Sequence, residues 1–143
     1  MNSFKQHHSP LRTTFLLIAG FSFLLGFVDN ARADQSKLKA YEIPVGRRGE
    51  AVQFNVRLVL DGKAGDDGWP ITFYERIGKG TPRKLCTVKT DGAGWVRLRY
   101  VIPRSPSADN IRLSASFPGG INKDFGIPYI PSVSPWVVVP ITR

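Results

Sequence analysis

The sequence predicts an all-β sandwich, and three observations carry that prediction. From Glu50 the chain reads EAVQFNVRLVL, in which Val52, Phe54, Val56, Leu58 and Leu60 alternate with Gln53, Asn55 and Arg57. A period of two places the first set on one face of an extended strand and the second on the other. No window after the first 33 residues carries a helical period of 3.6. Proline and glycine clusters recur roughly every eight to fifteen residues, the turn spacing of an antiparallel sandwich.

The elements follow in order. KLKAYEIPV in segment 34–49 gives a short first strand broken at Pro44, because proline has no N–H to donate. Residues 50–60 form the strongest strand, closed by the loop DGKAGDDG at 61–68. WPITFYERI at 69–77 resumes alternation, with Ile71 and Phe73 set against Thr72 and Tyr74. GKGTPR at 78–83 is a turn, and KLCTVKT at 84–90 leads into the hairpin loop Asp91-Gly92-Ala93-Gly94. Beyond it Val96, Leu98, Tyr100 and Ile102 alternate with Arg97, Arg99 and Val101. After a polar loop at 103–110, Ile111, Leu113, Ala115 and Phe117 face inward and Arg112 outward. Segment 118–135 reads as long and irregular. WVVV at 136–139, between Pro135 and Pro140, suits a final edge strand guarded against further pairing.

The first 33 residues read differently. Lys5 and Arg12 precede the uncharged run FLLIAGFSFLLGFV, and Ala31-Arg32-Ala33 supplies small residues at both positions that a signal peptidase reads. The uncharged run is short for a spanning helix. The expectation is a secretory signal over 1–33, cleavage after Ala33, and a single domain over 34–143 in the periplasm or outside the cell. No membrane span is expected after cleavage. The net charge falls from +9 to +7, because Lys5, Arg12 and Arg32 leave together with Asp29. Both histidines, His7 and His8, leave as well. Cys86 is the only cysteine, so an intramolecular disulfide is impossible.

The order of motifs resembles the bacterial immunoglobulin-like domains of secreted and surface proteins. The resemblance rests on VQFNVRLVL, on G-W-P-I-T-F, on T-D-x-x-G before an alternating strand, on I-R-L-S-A-S-F-P-G, and on Y-I-P-S-V-S before a valine-rich strand. It covers about residues 45–141. It implies an immunoglobulin-like antiparallel sandwich of about seven strands, with 50–60 and 94–102 in one sheet and 69–77, 110–118 and 135–140 in the other. A transthyretin-like or carboxypeptidase-regulatory-like sandwich is the alternative, since it also places T-D-x-x-G before a strand. These motifs belong to the scaffold and carry no activity.

Chemistry is scarce. Serine and cysteine triads need a base that titrates near neutrality, and the domain after Ala33 has no histidine. No local serine–lysine motif replaces it. A zinc site lacks ligands. Asp61, Asp66 and Asp67 lie close together in sequence, but the spacing and terminal glutamate of a calcium loop are absent. No cofactor, no metal and no enzymatic activity are expected. Cys86 reads as a small, partly buried filler.

What remains is a basic face. If strands 50–60 and 94–102 pair, Arg57, Arg97 and Arg99 project from one side beside Trp95. The plain interpretation is a solvated face that blocks sheet stacking. The functional one is an anion site, because guanidinium forks hold phosphate, sulfate or carboxylate bidentately and an indole offers a stacking surface. The expected function is thus a secreted non-enzymatic binding or structural module. Its partner would be a protein or an anionic polysaccharide of the cell envelope; nucleic acid is not expected. An inhibitor acting through loop 118–135 is the alternative, since loops carry function on rigid sandwiches.

Overall fold

The computed structural model describes residues 33–142. The expected signal segment therefore lies outside the described residues, apart from Ala33. The described chain is all β, with no helix. It runs through β1 (Ser36–Ala40), β2 (Gly46–Arg47), β3 (Ala51–Leu60), β4 (Lys63–Ala64), β5 (Pro70–Ile77), β6 (Arg83–Lys89), β7 (Trp95–Val101), β8 (Ile111–Phe117), β9 (Gly120–Ile121), β10 (Pro128–Tyr129), β11 (Ser132–Val133), β12 (Val137–Val138) and β13 (Ile141–Thr142).

Two antiparallel sheets face each other. In the first, β3 is central, with β1 on one side and β7 on the other. The short β4 returns along the end of β3, beyond the point where β7 stops. In the second, β5 is flanked by β6 and β8, and β11 and β12 pair with β8 from its far side. The expected division holds: 50–60 pairs with 94–102, and 69–77 pairs with 110–118, which in turn takes 135–140.

Alternation explains both sheets. Val52, Phe54, Val56, Leu58 and Leu60 of β3 are buried, as are Val96, Leu98 and Tyr100 of β7. Ile71 and Phe73 of β5, and Ile111, Leu113, Ala115 and Phe117 of β8, close the core from the other sheet. Phe54 and Phe73 meet edge to face across the gap, ring centroids 5.8 Å apart. Each such buried side chain contributes about 1.5–3 kcal/mol. Trp69 stands edge-on to both Phe117 and Tyr129 at one end of the core.

Among the described residues, one charged group sits inside this apolar layer. Glu75 is 3% exposed, on the inward face of β5. Both oxygens of its carboxylate are used. Oε1 accepts from Nε and Nη2 of Arg83 at 3.0 and 2.6 Å, and Oε2 accepts the hydroxyl of Tyr100 at 2.7 Å. Tyr100 belongs to β7, so this bond ties one sheet to the other through the core.

Three expectations need correction. The loop at Asp91–Gly94 is not a hairpin. It carries the chain from β6 in the second sheet to β7 in the first, and these two strands are not neighbours in either. A tight turn signal fits both geometries, and the deciding contacts are distant. Thr90 donates its hydroxyl to Asp66 O and exchanges backbone hydrogen bonds with Trp69 and Gly68, which turns the chain across the end of the sandwich. Segment 118–135 is not irregular either. It forms the β9–β10 hairpin, whose tip is closed by Asn122 and Gly126, and then β11, which rejoins β8. Ser134, from the Y-I-P-S-V-S motif, is buried and accepts the Ala115 N–H at 2.9 Å. Finally, the strand between Pro135 and Pro140 is not the last, since β13 follows Pro140. Prolines 131, 135 and 140 cut this stretch into two-residue pieces, because each removes a donor from the ladder. The last piece, β13, crosses to pair in parallel with β2.

Candidate functional site

The register of β3 and β7 puts the expected residues on one outer face. Arg57 is opposite Trp95, Asn55 opposite Arg97, and Gln53 opposite Arg99. The structure thus brings all four sequence-derived residues together. It adds two that the sequence reading missed. Lys39 of β1 lies opposite Arg57, and the Tyr41 ring packs on Trp95 with centroids 5.0 Å apart. The missing signal was the pairing of β1: a five-residue strand ending before Pro44 shows too little alternation to fix a face.

The four differ in how they are held. The Arg57 guanidinium lies over the Trp95 ring, 5.4 Å from its centroid, and Nε donates to Ala93 O at 3.2 Å. The Arg97 guanidinium is 6.0 Å from the same ring and pairs with Asp91 at 3.2 Å. Cation–π contacts of this kind contribute about 0.5–1 kcal/mol at exposed positions. Trp95 therefore serves as the post that positions two arginines, and Tyr41 further crowds it. Arg99 is exposed and has no carboxylate partner among the described residues. With Arg97 it borders a shallow depression floored by Ala51, Val52 and Gln53.

The loop that seats Trp95 is itself electrostatically set. The Asp91 carboxylate accepts the N–H of Trp95 at 2.9 Å and of Ala93 at 3.0 Å. Those two backbone donors, and then Arg97, hold it below the ordinary carboxylate range. A lowered native pKa means that Asp91 stabilises the fold above the unfolded value of about 4, and that this contribution fades as pH falls through the native value. Asp91→Asn is accordingly expected to be less stable than wild type at neutral pH, with the gap closing on acidification. Urea unfolding of both proteins at pH 7 and about pH 3 checks this; a gap that widens in acid contradicts it.

The opposite charge gathers at one end of the sandwich. Asp34, Asp61, Asp66 and Asp124 surround Tyr129, whose phenol is pushed up first by burial and then by these carboxylates. Asp61 accepts the Gln35 N–H at 2.9 Å. Among the described residues no three acidic, histidine or cysteine side chains converge on one metal position. Cys86 is half-buried on β6, with a free thiol.

No family model matches the chain, and no curated protein matches it. Among solved structures it is similar to Spo0M, the sporulation control protein from Bacillus subtilis, at 9% identity and a TM-score of 0.36. That match covers 78% of this chain and 50% of Spo0M, so the chain spans about half of that protein's length.

Proposed function

We propose that this chain is a secreted, non-enzymatic module of the immunoglobulin-like kind that holds an anionic polymer of the cell envelope on the outer face of β1, β3 and β7. The immunoglobulin-like assignment draws support from the strand order β1–β3–β7 facing β6–β5–β8–β12 and from the parallel closing pair β2–β13. The secretory reading draws on the charge and small-residue pattern of 1–33. The binding reading rests on one observation: Arg57 and Arg97 are fixed on Trp95, and Arg99 and Lys39 share their face. Fixed guanidinium groups bind oxyanions with less lost side-chain freedom than mobile ones.

Charge alone would give weak binding, screened within about 8 Å at physiological salt. Geometry distinguishes a site from a charge. Arg57, Arg97 and Arg99 are to be replaced together by lysine, and separately by alanine. Binding to lipopolysaccharide, heparin and a neutral glycan is then followed across a salt series. Wild type is expected to bind the two anions and not the neutral glycan. The triple lysine variant should bind at least about tenfold more weakly despite its equal charge, because lysine cannot make the bidentate contact. The triple alanine variant should fold and not bind. Equal binding by wild type and triple alanine would reduce the face to a solvated surface. A second reading, an inhibitor acting through 118–135, rests on Phe125, which is 73% exposed at the tip of the β9–β10 hairpin. Capture of a periplasmic or envelope protein that is lost in Phe125→Ser, but kept in the triple alanine variant, would favour it.

A further inference from the structure

The second sheet has its own outer face, and two arginines on it each bury an Nε that has no acceptor. Arg76 of β5 and Arg112 of β8 stand directly opposite each other in the ladder. Opposed residues of an antiparallel pair have side chains about 5 Å apart at their base, and like charges so placed repel. Arg48, Arg83 and Arg97 each reach a carboxylate; among the described residues, Arg76 and Arg112 reach none. Glu75, adjacent to Arg76 in the chain, points to the other side and is committed to Arg83 and Tyr100. The Nε of Arg76 and the Nε of Arg112 are both closed to solvent and without an acceptor. Neither side chain can relieve the conflict by losing its proton, since guanidinium stays charged at any pH a protein meets.

The pair is nevertheless held in place. The Arg76 guanidinium lies over Trp136, 4.7 Å from the ring centroid. Trp136 follows Ser134 and Pro135, and Ser134 is pinned to β8 through Ala115 and Ser114. Val138, half exposed, sits opposite Arg112 and borders the pair on the same side.

We propose that Arg76 and Arg112 form a second binding site, for one oxyanion group (carboxylate, sulfate or phosphate) set between the two guanidinium groups, with Trp136 as the wall that fixes Arg76. An anion there cancels the repulsion. Turning either guanidinium toward it presents the Nε–Nη edge, the bidentate grip that arginine offers to an oxyanion, and gives the orphaned Nε an acceptor. The site shares no residue with the Arg99 face and does not depend on it, since it lies on the opposite side of the sandwich.

The test follows the Nε–Hε resonances of the arginines by NMR. Inorganic phosphate, sulfate or acetate is added to the purified protein at constant ionic strength, with chloride as the control salt. The Arg76 and Arg112 signals are expected to shift together and to saturate, while those of exposed Arg47 and Arg104 drift linearly. Arg112→Gln should abolish the saturable response of Arg76. The triple alanine variant of Arg57, Arg97 and Arg99 should keep it, which separates this site from the first. A uronic-acid oligosaccharide arm identifies the source: at least about tenfold tighter binding than acetate points to a polymer that makes further contacts, and equal binding points to a free small anion. Linear responses at Arg76 and Arg112, matching Arg104 for every anion, would overturn the proposal. The wild-type titration decides this even if Arg112→Gln does not fold.

Discussion

Gly94→Ala is expected to lose about 3 kcal/mol or more of stability, from two costs that act together. Gly94 has φ of +76°, where an L side chain costs about 1–3 kcal/mol. A Cβ there would also stand 2.6 Å from the carbonyl oxygen of Leu58 and 2.8 Å from the nitrogen of Gly65. Both are backbone atoms, so no rotamer change clears them. Both are also in use. Leu58 donates its N–H to Gly94 O at 2.8 Å, and its own oxygen accepts from Gly65 at 2.9 Å. Three chain segments converge here: the start of β7, the end of β3 and the return after β4. Displacing one of them loosens the other two. With a urea slope of about 1–3 kcal/mol per molar, the unfolding midpoint should fall by about 1 M or more. Gly92→Ala is the control. It has no atom within 4 Å of the added methyl group and no positive φ, so a change of about 0.5 kcal/mol or less is expected. Equal losses in the two variants would refute the account.

Tyr100→Phe should cost about 2 kcal/mol, the usual penalty for removing a buried hydrogen bond to a charged group. The phenol is the only donor to Glu75 Oε2 among the described residues, and the carboxylate is too deep for water to replace it readily. The loss should depend on what remains. Replacing both partners, as Tyr100→Phe with Glu75→Leu, removes the need as well as the bond, and most of the lost stability should return. Arg83 is exposed enough to keep its hydration when Glu75 is gone. The same contact makes a prediction in alkali. Burial, and then the Glu75 carboxylate, hold the Tyr100 phenol well above its ordinary range. A raised native pKa means that the contribution is complete below the unfolded value of about 10 and declines above it. Wild type should therefore lose its advantage over Tyr100→Phe as pH rises past that point. A double variant no more stable than Tyr100→Phe, or an advantage that grows in alkali, would show that the bond does not act as described.

The fold was legible where one physical signal dominated. In β3 and β7 the alternation of apolar and polar residues fixes the buried face, and the structure follows it residue by residue; in β8 it holds except at Ser114, which is buried under the Ser134 segment. Glu75 was not legible. It occupies an inward position of β5, and only the Tyr100 hydroxyl from the opposing sheet and the Arg83 side chain from β6 make that position tenable. The turn at 91–94 was read as a hairpin because glycine and aspartate favour any tight reversal. Its actual role depends on Thr90 meeting Trp69 and Asp66, some twenty positions away in sequence. The basic face was legible in part. Arg57, Arg97 and Arg99 follow from alternation once β3 and β7 pair. Lys39, Tyr41 and the engagement of Trp95 depend on where β1 docks. The Arg76–Arg112 opposition was out of reach for the same reason: it exists only in the register between β5 and β8.

The parallel pairing of β2 with β13 bears on how the molecule carries load. Gly46 donates to Pro140 O at 3.1 Å, and the Thr142 hydroxyl donates to Gly46 O at 3.4 Å. β2 lies near the start of the described chain and β13 at its end. Tension drawn between the two ends pulls these strands past each other along their length. In that direction the cross-links are sheared together and must fail as a group, whereas a hairpin pulled from its open end peels one bond at a time. Adjacent to them, Gly46 packs its backbone directly on Val52 and Ile102, so the clamp is seated on the core and not on a loop. On the N-terminal side the load reaches β2 only through β1, which is laddered to β3, so the clamp and the first sheet share the resistance to stretching.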